Sequence, residues 1–242
     1  MGFTDSHHLR KMTAGVCMVL APLLFLAAFI VSPKLETGAV AQLRVAASHI
    51  DRFYISGLIG VIGLVLLVPA VLGLMHMLRE RRPGYGAIGG ALAMIGLLGS
   101  VASAGVGFAI WEMARHGAAN ATNSAVLHGL LHDAGAMIPV YIVGEVIAVG
   151  FVVLCAGLYL ARVVDWWMAL FIAAGAVCID IAFPAGVLAL GIVGAALLLV
   201  GLGSVGLMVI RETDADWEHT PDYRGFRPAA GMRKAQDVIV IG

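Results

Sequence analysis

The chain has 242 residues, of which 61% are hydrophobic and 12% charged, and fifteen Lys and Arg balance fifteen Asp and Glu. With a mean hydropathy of +0.97 it lies far from a soluble chain, which is about half apolar and about one-quarter charged. An ordinary soluble enzyme, a disordered regulator and a disulfide scaffold are excluded. So is a nucleic-acid binder, because the balanced charge leaves no net field to attract a polyanion.

A helix needs about 20 apolar residues to cross the hydrocarbon core. Six stretches qualify or nearly so: 13–31, 54–78, 86–111, 136–161, 166–183 and 187–210. The runs are continuous rather than alternating, so they predict helices and not barrel strands. The expected fold is an all-α, polytopic membrane protein: a six-helix transmembrane domain over 13–210, with residues 1–12 before it and a tail over 211–242. The first span begins with Arg10 and Lys11 and reads as an uncleaved anchor. Its apolar run is too long for a signal peptide, and the small-residue site at Ala39-Val40-Ala41 lies well beyond it. The fifth span is the shortest, and the tight Pro184-Ala185-Gly186 link to the sixth predicts a helical hairpin.

Lysines and arginines set orientation. Eleven of them fall on the side of the termini and four (Lys34, Arg44, Arg52 and Arg115) on the other. That bias predicts both termini in the cytoplasm, and it alternates at every loop only if there are six spans. The composition, rich in Ala, Gly and Val, suggests a bacterial inner membrane by association. Phe53, Tyr54 and Trp111 are expected at the outer boundary, and Tyr85, Tyr159, Trp166 and Trp167 at the inner one. The basic turn Arg79-Glu80-Arg81-Arg82-Pro83-Gly84 reads as a topology anchor beside anionic headgroups. Cys17, Cys155 and Cys178 sit in three different spans with no CxxC, as free thiols packed like small hydrophobes.

Most of the 31 glycines lie inside the spans. Gly99, Ser103 and Gly107 recur every fourth residue, with Ser100 and Ala104 beside them. Small residues let helix backbones approach closely in lipid. This stripe suits packing within one bundle. It also suits a homo-oligomer face, or a face for another subunit of a membrane complex. The two longer outer loops, 32–53 and 112–135, each predict a short helix; the second would be capped by Thr122 or Ser124 and run to Asp133. The tail carries Trp217, Tyr223 and Phe226 and closes on Val238-Ile239-Val240-Ile241. It reads as partly ordered.

Polar residues inside a span are the best pointers to function, because hydrocarbon penalises a charge by roughly 2.5–3.5 kcal/mol on insertion scales. Only Glu145 and Asp180 are acidic within the six stretches, and no Lys or Arg lies there. Glu145 is expected nine residues past the outer start of the fourth span and Asp180 near the outer end of the fifth. Consecutive spans are neighbours, so the two carboxyls would share one polar site in the outer half of the bilayer. A proton or cation site of a small permease-like or channel-like protein is one reading; carboxyls merely bonded to a neighbouring helix is the other.

A second constellation is His128-Gly129-Leu130-Leu131-His132-Asp133. Histidines at i and i+4 share one helical face, which is the geometry of metal ligands. With Glu112 or His49 assisting, they could hold a transition metal in a membrane-embedded enzyme or metal-binding protein. Histidines that only bond loop backbone are the plainer alternative. No HExxH is present, because position 129 is Gly. A rhomboid-like protease, a dihaem cytochrome, a desaturase, a retinal protein and a nucleotide hydrolase each lack the residues they need. The third function class is a structural or accessory subunit docking through its glycine faces and tail.

The layout resembles uncharacterised six-span bacterial integral membrane families of unknown function. The likeness rests on Arg10-Lys11 before the first span, His49-Ile50-Asp51-Arg52-Phe53 before the second, and the segment His128 to Gly135 opening the fourth. It covers most of residues 10–210 and implies the six-span fold, but no activity.

Overall fold

In hydrocarbon every backbone N–H and C=O must bond within the protein, which a continuous apolar run achieves as a helix. A computed structural model describes residues 4–34, 36, 38–116, 121–138, 142–213 and 217. Among these the chain is all-helical, with no strand. The helices are α1 (Thr4–Val31), α2 (Ala39–Ser48), α3 (Ile50–Leu78), α4 (Pro83–Arg115), α5 (Ala121–His132), the single turn α6 (Ala134–Met137), α7 (Val143–Leu160), α8 (Trp166–Ala185) and α9 (Leu188–Arg211). Six of them (α1, α3, α4, α7, α8 and α9) are long and apolar enough to cross a membrane. The chain is therefore a six-span helical membrane protein in outline.

The six long helices close into a ring. α1 packs between α3 and α9; α3 adjoins α4, α4 adjoins α7, α7 adjoins α8 and α8 adjoins α9, while α3 also touches α7. Glycine makes several of these contacts possible. Along α4 and α7 the paired positions run in antiparallel order: Gly99 on Gly144, Gly96 on Ile147, Ala93 on Gly150, Gly89 on Leu154 and Tyr85 on Gly157. A methyl group at Gly175 of α8 would lie 2.6 Å from the Leu198 amide of α9, and one at Gly206 of α9 would lie 2.6 Å from the Gly15 carbonyl of α1. Of the predicted stripe, Gly99 is spent inside the bundle, whereas Gly107 faces open space. Met18, Val71, Leu74, Phe151, Leu158 and Leu202 lie in the main core.

Two helix ends use the same turn. Gly186, at φ 66°, ends α8. The Gly186 amide donates to Phe183 O and the Val187 amide to Ala182 O, at 3.1 and 3.0 Å. This is the paired bonding of a Schellman cap, in which glycine carries no Cβ penalty. Pro184 thus belongs to the last turn of α8, and Gly186 alone makes the reversal. At the end of α7 the Arg162 amide donates to Tyr159 O and the Val163 amide to Leu158 O, at 3.0 and 3.1 Å. There the left-handed position, φ 57°, is held by Arg162.

Both ends of the ring are dressed. Away from the termini, α2 and α5 cover the end of α4 with a second small core of Ala39, Leu43, Ala46, Ile110, Ala114 and Leu127. Beside it Tyr54 lies against Trp111 at a centroid distance of 4.6 Å, and Arg115 lies over the Trp111 ring at 4.8 Å. At the end of the termini, Lys11 and Glu212 are buried, and Lys11 Nζ donates to the Glu212 carbonyl at 2.8 Å. Trp217 is buried there too and stacks on His76, with centroids 4.8 Å apart. Tyr223, Phe226 and 238–241 of the tail lie outside the described residues.

Candidate functional site

α7 and α8 are joined by a short turn and run antiparallel, so the first turn of α7 stands beside the last turns of α8. Glu145 lies in that first turn, exposed, and Asp180 lies on α8 half-buried. Their carboxyl groups stand close enough to interact with each other. The structure therefore brings together the two acidic residues that the span map singled out.

One detail differs from the sequence expectation. A continuous helix over 136–161 would put Glu145 nine residues in. The regular α7 begins only at Val143, after the separate turn α6. Ile138 and Ile142, on either side of residues 139–141, both hold right-handed helical backbone. The position of Glu145 is fixed from the side. Gly144 is buried against Gly99 and Ser100 of α4, and Ser100 Oγ donates to the Gly96 carbonyl at 2.9 Å.

The second constellation is brought together only in pairs. His128 and His132 lie on one face of α5 with their rings stacked, centroids 4.1 Å apart and 8° from parallel. His132 Nδ1 lies 3.0 Å from the His128 carbonyl. A carbonyl only accepts, so Nδ1 carries the proton and the neutral ring keeps its lone pair on Nε2. Asp133 follows in extended conformation between α5 and α6, its Oδ2 folded back towards Gly129. Glu112, on α4, bonds instead to His116 Nε2 at 2.8 Å and lies 3.6 Å from Arg115. Glu112 and His116 edge a shallow open groove with Ala109, Met113 and Asn123. His49 sits at the α2–α3 junction against Ser48 Oγ, 2.9 Å away. Among the described residues no three of His, Cys, Asp or Glu are grouped to hold one metal ion.

The sequence reading missed the cluster at the end of the termini. His76 accepts a bond from Arg79 on Nδ1 at 3.2 Å, because a guanidinium only donates. Its Nε2–H therefore donates to the Trp217 carbonyl, also at 3.2 Å. A lone tryptophan shortly after the last span was the available signal, since a buried aromatic supplies a large contact area.

No protein-family model matches the chain, and no curated protein or solved structure matches it.

Proposed function

We propose that the protein is a small permease-like or channel-like membrane protein whose polar site is the Glu145–Asp180 carboxyl pair, taking a proton or a small cation. The observation that supports this most directly is the closeness of the two carboxyl groups, which come from neighbouring membrane-length helices. Two carboxyl groups this close can hold one proton between them. Losing that proton to solvent, or exchanging it for a cation, changes the charge at a place where water is scarce and charge is costly. Two oxygen-rich groups from different helices also suit a hard cation, which prefers oxygen ligands.

The test is flux in reconstituted vesicles. Glu145→Gln and Asp180→Asn keep shape and hydrogen-bonding capacity but remove the exchangeable charge. Each is expected to abolish proton- or cation-dependent movement while leaving the purified protein folded. Flux equal to the unmodified protein in both variants would rule the reading out.

A further inference from the structure

Among the arginines at the end of the termini, one corner stands apart. The turn between α3 and α4 meets the turn between α7 and α8, where Arg81 Nη1 donates to the Ala161 carbonyl at 3.2 Å. Arg82 and Arg162 are the next residues along from the two that make this contact. Both are exposed, and neither forms an ion pair among the described residues. The nearby carboxylates are otherwise placed: Glu80 lies 3.6 Å from Arg79, and Asp165 is half-buried ahead of α8.

Arg162 stands in the left-handed position of a turn whose twin at the other end of α8 uses glycine. An L-residue with a Cβ is strained there. The side chain that the backbone favours least is thus a guanidinium aimed at solvent. Around the corner, Tyr85, Tyr159 and Trp166 are exposed, the last at 65%. Amphipathic aromatics at the ends of membrane-length helices mark headgroup depth. Exposed apolar side chains also lie on α7 (Leu160 and Val152) and on α4 (Ile88 and Ile95).

We infer that this corner is a binding site for the phosphate of an anionic phospholipid, held by the guanidinium groups of Arg82 and Arg162, with the acyl chains lying on the apolar flank of α4 and α7. A planar guanidinium matches phosphate oxygens in a two-pronged geometry that an ammonium lacks. Free phosphate would use the arginines alone. A lipid also uses the exposed aromatic and apolar side chains on the same helices, and their presence favours the lipid. The inference is independent of what the carboxyl pair binds.

The experiment is native mass spectrometry of the full chain released from mixed phosphatidylcholine and phosphatidylglycerol micelles. The unmodified protein is expected to retain phosphatidylglycerol in preference. Arg82→Gln and Arg162→Gly should each lower that preference about fivefold, the contribution of one basic residue near an anionic surface. Arg162→Gly separates binding from folding. It relieves the strained backbone, so its thermal midpoint should equal or exceed that of the unmodified protein while its lipid preference falls. An unchanged preference in the double variant overturns the inference. So does displacement of the bound lipid by inorganic phosphate, which would make the site one for the free ion.

Discussion

Lys11 shows how far a single residue can depart from its sequence role. Counted with the loop arginines, it served only to mark a side of the membrane. In the fold it is 3% exposed, its ammonium bonded to the carbonyl of Glu212 just past the end of α9. A cation there meets the negative end of the helix dipole and satisfies an orphan carbonyl. Lys11→Met keeps the aliphatic stem but removes this bond. It is expected to destabilise the protein by about 2 kcal/mol, the scale of a hydrogen bond to a charged group. Thermal unfolding in detergent measures it, and an unshifted midpoint would show the bond to be incidental. Burial of this kind was not legible, because it depends on Glu212 arriving from the far end of the chain. Glu145 and Asp180 were legible for the opposite reason: consecutive antiparallel spans bring their ends together.

The pairing of α4 with α7 rests on where glycines fall on both helices at once. Gly96 meets the main chain at Ile147, so even a methyl group there requires one helix to move. Gly96→Ala should cost about 1–3 kcal/mol, as overpacking does. Gly107, on the same helix, has nothing within 4 Å of where its Cβ would stand. Gly107→Ala should be neutral in an isolated chain, or stabilising by about 0.5–1 kcal/mol through helix propensity. Comparing the two variants by thermal unfolding separates packing from composition. If Gly107→Ala instead weakened a self-associated form, the stripe would belong to an interface between copies. The apolar runs made the six long helices readable. The register between them was not, since Gly99, Ser103 and Gly107 look alike until a partner helix selects one.

At the scale of the whole molecule the described residues form two cores, one inside the ring and one under α2 and α5. Short helices were expected in both long loops, but their joining over the end of α4 was not, because nothing local in either loop names the other. Leu43 and Leu127 are fully buried in the small core. Leu43→Ala should cost about 2–5 kcal/mol locally. Hydrogen exchange is then expected to quicken in α2 and α5 while α8 and α9 keep their protection. Uniform loss of protection would instead mean that the two cores melt as one.

The contact of Gly99 with Gly144 has a mechanical consequence. Side chains are compliant: they turn about their bonds and absorb small displacements. Here main chain lies on main chain, with no such cushion between α4 and α7. Glu145 is the next residue along from Gly144. A tilt of α4 is therefore passed, almost without slack, to one half of the carboxyl pair, while Asp180 on α8 stays outside that linkage. The spacing between the two oxygens becomes a gauge of how α4 stands in the ring.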